Sequence, residues 1–468
     1  MTKFPLILAL SANEWRSPCV AGSSTQSTLQ MAEILPIRPW RYHPDLLINP
    51  DELTAPLFDV VSAKQRSTLY NYPYNSIHLS SPQPPDAAKR AREVLAKWKA
   101  EGVILQDYLP AIYVYYQYFS IAGDPREYCR KGFICHIRTY DWEDRIVLRH
   151  ENTIPSSVND RVALLEETEM HTSPTHGLYT DPEHQLERYM DEAMMKPLLE
   201  TEDYQGVRDV LAVIHDAAVI RKFIEVLRDK RVILADGHHR YEGSLLYRKK
   251  MLEKFPGQSL RGFNYHLMYL TNTESDDLKI LPTHRVISGL PNFDEEVVME
   301  KLAPYFVIKP VEDSDTLHEV IAGKPWAFGV MMKEKCFKIR LKPGLIPQIT
   351  WPFPEIIKKL DLTVLHYFII EKVLGIPGKD QRHSEHLSFD RSLADCMRKV
   401  IQGEAQMAII TNPVSIEDVK TVCDSGYTLP QKSTYFYPKV IGGFLFSSIK
   451  DDEFQEPVYS PFFELQHG

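Results

Sequence analysis

An α/β protein with mixed (α+β) sheets, a larger N-terminal part and a C-terminal α/β part, is the fold class predicted by three observations. The chain has 468 residues, more than the ~100–200 of a single domain. Its 44% hydrophobic, 25% charged and 11% aromatic residues are values of a packed globular protein, which excludes wholesale disorder, collagen-like repeats and coiled coil. Short apolar or β-branched runs recur between amphipathic segments of helical period.

Residues 1–30 are polar and aperiodic after a short apolar start, and are expected to form a disordered tail or an over-extended translation start. Met31 opens AEILPIRPWRYHP, which reads as a strand entering the globular body. Asp86 to Ala100 is an amphipathic helix with Ala91, Leu95 and Trp98 on one face. YLPAIYVYYQYFS and GFICHIRTY read as an antiparallel hairpin across a loop containing Gly123 and Pro125. Helices are expected at Arg161 to Met170, Asp181 to Glu200 and Ala217 to Arg228, with a loop from His171 to Gly177. RVILAD is a continuous apolar strand, Gly237 breaks it, and a helix follows through Tyr241, Leu245 and Leu246. Further strands are expected at NYHLMYL, WAFGVMM, CFKIRL and QMAIIT, and helices at Thr363 to Val373 and Ile416 to Cys423. A change of character near Pro291 divides the body into 31–290 and 291–468.

Net charge is −9 from 54 Lys+Arg and 63 Asp+Glu, the wrong sign for a protein whose affinity comes from neutralising nucleic-acid phosphates. No nucleic-acid partner is expected. The six cysteines form no Cys-x-x-Cys pair, so neither a disulfide framework nor a structural zinc site is suggested. No apolar run approaches the ~20 residues that span a bilayer, and the N-terminal apolar stretch is short for an export signal. A cytoplasmic protein without a membrane partner is expected; the sequence is silent on oligomeric state.

ADGHHRYE, Ala235 to Glu242, lies where a strand turns into a helix. Amides of a first helical turn carry partial positive charge, Gly237 permits close backbone approach, and Arg240 offers a fork for phosphate oxygens. Asp236 is placed to hold a metal ion or accept a proton, and His238 and His239 to bind phosphate or act as acid and base. The alternative is an N-capping Asp236 with structural histidines. LRHENT supplies His150 and Glu151, LPTHRV supplies His284 and Arg285, and THGLY is a turn or a binding loop. LPQKSTYFYPKV concentrates Lys432, Ser433, Thr434, Tyr435, Tyr437 and Lys439, donors that suit a phosphorylated ligand or residues that pack as a strand. Walker, Rossmann and His-Glu-x-x-His patterns do not occur,.

APLFDVVS, LRHENT, VILADGHHRYEGSLLY, LPTHRV and LPQKSTYFYPKV together resemble the family known as domain of unknown function 1015, from about Ile37 to Phe446. The first string departs from the family's Ala-Pro-Pro-Tyr-Asp-Val at Leu57 and Phe58, and THGLY replaces a more apolar loop. VILADGHHRYE alone is similar to the phosphate-binding box of the ParB/sulfiredoxin-like fold, which includes partition-protein nucleotidases, sulfiredoxin and archaeal free-serine kinases. The box has no cysteine for the sulfiredoxin variant, and no helix-turn-helix is visible for the partition variant, which leaves the small-molecule kinase. The resemblance implies a nucleotide-binding core with insertions in which Gly237, His238, His239 and Arg240 cradle phosphate and Asp236 lies beside the reacting centre. The expected activity is phosphoryl transfer from ADP or ATP to a small hydroxylated metabolite, with free L-serine first. Glu151 would be the base and Asp236 the Mg²⁺ ligand. Arg240, His284, Arg285, Lys432, Ser433 and Thr434 would neutralise phosphate. The alternatives are hydrolysis of a phosphomonoester such as phosphoserine, and a nucleotide-responsive binding protein without turnover.

Overall fold

The computed structural model describes residues 32–454, apart from 59, 204, 259, 260, 334 and 431. The expected tail and the start at Met31 lie outside the described residues. By their contacts the described residues fall into two units. The first comprises the chain up to Arg149, Thr153–Lys279 and everything from Pro438 on; the second comprises His150–Asn152 and Ile280–Tyr437. This grouping differs from a single cut after residue 290, because a tripeptide and the last segment each join the unit that is distant in sequence.

The first unit is built on a nine-stranded sheet. Tyr- and Val-rich runs form β1 (Ile112–Ile121) and β2 (Asp124–Arg138), the expected antiparallel hairpin, with Tyr115 opposite Gly132. The sheet also contains β3 (Val147–Arg149), β4 (Thr175–Tyr179), β5 (Leu199–Glu202), β6 (Arg208–Ile214), β7 (Val232–Asp236) and β8 (Tyr265–Asn272). Their order is β5-β6-β1-β2-β8-β4-β7-β3, and the short strand Ile34–Leu35 pairs with β2. Pairs β7–β3 and β8–β4 are parallel while their neighbours are antiparallel, so the sheet is mixed.

The longer helices of this unit are α1 (Ala87–Ala100), α2 (Pro155–Thr168), α3 (Glu187–Met194), α4 (Ala217–Leu227) and α5 (His238–Lys254). Helix α1 buries Ala91, Leu95 and Trp98, the face its periodicity marks,. Val114, Phe133, Cys135, Met268 and Leu270 point to one sheet face and pack with Phe223 of α4 and Tyr241 and Leu245 of α5. Tyr113, Tyr115, Ile134, Leu267 and Tyr269 point to the other face, where Val440, Ile441, Phe444 and Leu445 cover them.

Two expectations are corrected here. Within Asp181–Glu200 only Glu187–Met194 is helical and the chain then enters β5; Pro197 disfavours helix in the residue before it, and the run finds a strand partner in β6,. The expected loop from His171 to Gly177 is largely strand: Met170–His171 and β4 are extended, and THGLY is wholly buried. Its polar side chains enter the sheet because each has a partner, Thr175 with His266 at 3.0 Å and His176 with Thr271 at 2.7 Å,.

The second unit carries a six-stranded antiparallel sheet of β9 (His284–Ile287), β10 (Phe306–Val311), β11 (Ala327–Met332), β12 (Lys335–Leu341), β13 (Leu387–Asp390) and β14 (Met407–Ile410), in the order β10-β12-β11-β14-β9-β13. The helical run from Asp361 widens to π-helical turns over Leu365–Val373 and packs on this sheet. Both units mix helices with sheets, as the composition of segments predicts.

Candidate functional site

Strand β7 is apolar because it is covered on both faces, and it ends at Asp236, where its register with β4 shifts. Gly237 then takes φ +89°, the left-handed region open to glycine, and caps α5,. A Cβ there would lie 2.6 Å from Cγ2 of Thr175 and 2.8 Å from Nη2 of Arg240. The turn therefore requires glycine on two grounds. It delivers the first-turn amides of a 17-residue helix, the positive end of its dipole, to the rim of the sheet,.

Asp236 is clasped by two cations. Lys439 Nζ donates to its Oδ1, and Arg240 Nη2 donates to its Oδ2 at 3.2 Å. Burial by itself pushes this carboxyl up, but Lys439 and Arg240 outweigh it and hold the group well below the usual carboxylate range,. Arg240 also donates from Nη1 to Ser173 Oγ at 3.0 Å and to the Pro174 carbonyl at 2.5 Å. Its guanidinium thus fixes the turn and the carboxylate. His238 is buried beside it. His239 accepts the Ile154 N–H on Nε2 at 3.0 Å.

A buried polar row continues across the same sheet face. Arg130 is 1% exposed, and its Nη2 donates to Oε1 of Gln117. Gln117 Nε2 donates to Asp209 Oδ1 at 2.8 Å and to the Lys439 carbonyl at 3.1 Å. Burial pushes the Asp209 carboxyl up to about 7. Burial, reinforced by the positive charges of Arg130 and Lys439, keeps His176 neutral. Arg130, Gln117 and Asp209 were missed at the sequence level. A signal exists: Tyr113, Tyr115 and Gln117 alternate, as do Arg130, Gly132 and Ile134, so a polar residue breaks an inward-facing apolar register on each strand.

The second unit gathers the remaining candidates. Glu151 Oε1 accepts the Ser433 N–H at 3.2 Å and the Thr434 hydroxyl at 3.5 Å. His150 Nε2 bonds Thr434 Oγ1 at 2.7 Å, and its carbonyl accepts the Leu429 N–H at 2.7 Å. LRHENT thereby clasps the loop of LPQKST, so two strings distant in sequence do meet. Lys432 is exposed, 6.0 Å from the Phe389 ring.

His284 and Arg285 are both buried. Arg285 is 0% exposed; Nη1 donates to the Thr283 carbonyl, and Nε and Nη2 lie 3.3 and 3.2 Å from His366 Nε2. His366 is held neutral, down to about 3, by burial and then by Arg285, and its Nδ1 bonds Gln381 at 2.7 Å. His284 is buried, and its Nδ1 accepts the Thr411 N–H at 3.3 Å. Both side chains have their partners in the interior of the second unit.

The expectation of Asp236 as a Mg²⁺ ligand also changes. Both its oxygens face cations, and among the described residues no group of three or more His, Cys, Asp or Glu could hold a metal ion. A protein-built metal site does not fit these residues.

Fold and site define a mixed α/β protein with a glycine turn and a doubly clasped aspartate at a strand–helix junction. The chain belongs to the DUF1015 family, described as a protein of unknown function, whose profile matches residues 34–363. Among solved structures it is similar to a conserved hypothetical protein from Pyrococcus furiosus, at 15% identity over 63% of this chain and 90% of that one, TM-score 0.31. It is similar also to a free serine kinase in complex with AMP, at 16% identity over 66% and 90%, TM-score 0.32. SbnI from Staphylococcus aureus, truncated at its C-terminus, aligns at 12% identity over 66% and 85%, TM-score 0.32. Comparison with curated proteins finds no match.

Proposed function

We propose that the chain is a nucleotide-dependent phosphotransferase that uses ADP or ATP, accompanied by Mg²⁺, to phosphorylate a small hydroxylated metabolite, with free L-serine the first candidate. The observation that carries this reading is the Gly237 turn, where helix amides and two cationic side chains, Lys439 and Arg240, gather at one ionised aspartate. Phosphoryl transfer needs positioning and charge neutralisation more than covalent chemistry. The first-turn amides of α5 would take the nucleotide phosphates. Asp236, held ionised by its two cations, is a poor proton acceptor; it serves to orient Lys439 and Arg240. His238 and His239 are the acid–base candidates of the same turn. A divalent ion would arrive on the nucleotide's own phosphate oxygens.

Calorimetry of the full chain with ADP and ATP tests the reading. Saturable binding is expected, weakened about tenfold or more in Lys439→Met, a loss of ~1.4 kcal/mol or more. Nucleotide-dependent formation of phosphoserine would establish the transfer. Absence of nucleotide binding at millimolar concentration would overturn the reading, and phosphate release from phosphoserine without nucleotide would favour the hydrolase.

A further inference from the structure

The first unit contains a second concavity that phosphate chemistry does not use. Its volume is ≈ 580 Å³, within the ~300–1,000 Å³ of small-molecule sites. Its floor is the pairing of two short strands, Ala55–Pro56 with Ile441–Gly442. Leu69 and Tyr72 add apolar wall, and three carboxylates, Asp51, Glu202 and Asp203, stand against one exposed ammonium, Lys64.

None of the three carboxylates forms an ion pair among the described residues. Asp203 Oδ1 accepts the N–H groups of Gln205 at 2.7 Å and Val207 at 3.0 Å, which fixes the carboxylate at the rim of the β5–β6 turn. The charges do not converge as a metal site would, since no metal-binding group of three or more such residues exists among the described residues. An apolar floor with dispersed negative charge above it instead suits an extended molecule with a positive end: the body covers Ala55, Leu69 and Ile441, and the charged end meets the carboxylates.

We propose that this cavity binds a small organic cation, an ammonium or guanidinium head on a short apolar body. The site is distinct from the Gly237 turn, yet Ile441 in its floor follows Lys439 by two residues, at most ~7 Å between Cα atoms. The proposal does not depend on the phosphotransferase reading.

Titration calorimetry of the full chain with 1,4-diaminobutane tests it, with 1,4-butanediol and butanoate as four-carbon probes lacking positive charge. Saturable binding of the diamine, and of neither control, is expected. Glu202→Gln, an exposed change, and Asp203→Asn, which keeps the Oδ1 acceptor, should each weaken it about tenfold, and Leu69→Trp should weaken it by narrowing the cavity beside the apolar wall. ADP binding should be the same in all three variants. No diamine binding at ~10 mM, binding of the controls to the same extent, or unchanged affinity in the Glu202→Gln, Asp203→Asn double variant would each overturn the proposal.

Discussion

A single glycine decides the geometry of the phosphate turn. Gly237→Ala would force a Cβ into Thr175 and Arg240 at a left-handed φ, so a loss of about 2–3 kcal/mol is expected in urea unfolding, together with loss of nucleotide binding. Buried histidines set a second residue-level property. Burial lowers His136 from 6.5 to about 3 and His171 to about 4, and holds His266 well below its ordinary value. The unfolded chain takes up these protons below pH ~6.5 while the folded chain does not, so stability is full above that pH and falls as pH falls. Between pH 7 and 5 each histidine should cost about 2 kcal/mol. Asp236 acts in the same direction at lower pH: its depressed value contributes stability that is present above pH ~4 and is lost as pH falls below it,. Urea unfolding at pH 7, 6 and 5 checks this, and His171→Asn should flatten the slope.

At the scale of elements, the β2–β8 ladder depends on Gly132. A Cβ there would lie 2.5 Å from the Leu270 carbonyl and 2.5 Å from the Tyr269 ring. Backbone cannot step aside as a flexible side chain can, so Gly132→Ala should cost more than about 3 kcal/mol, read as a shift in unfolding midpoint. The hairpin and α1 were legible from YVYYQYF and DAAKRAREVLAKWKA, because period 2 and period 3.6 are properties of neighbouring residues. The strand THGLY was not legible: its Thr and His read as loop until His266 and Thr271 supply partners. Likewise the partners of His284 and Arg285 were not legible: Arg285 meets His366, 81 positions away, and His284 meets Thr411, 127 positions away.

At the scale of the whole molecule, the chain returns after Tyr437 to complete the unit it began. Val440, Ile441, Phe444 and Leu445 cover one face of the nine-stranded sheet, and Glu453 binds Lys99 at 2.6 Å and Trp40 at 2.9 Å. Four such side chains represent about 6–12 kcal/mol of burial, comparable with the ~5–15 kcal/mol stability of a whole protein. Truncation after Tyr437 should therefore leave the first unit unfolded, seen as loss of cooperative melting. A chain that keeps its unfolding transition would show that the return segment is dispensable.

By itself the sequence determined the strand–glycine–helix junction at 232–254, the hairpin and the amphipathic helices, since sterics at Gly237 and side-chain periodicity act over a few residues. It also carried the family, through strings spread over the chain. Only the tertiary structure decided which charges meet. Asp236 takes Lys439 from 203 positions away, Arg130 and Asp209 join through Gln117 inside a sheet, and Glu151 clasps Ser433. A side chain's charge is written in its residue type, but its partner, its burial and hence its protonation are set by strands brought together from distant segments, and no local pattern encodes that encounter.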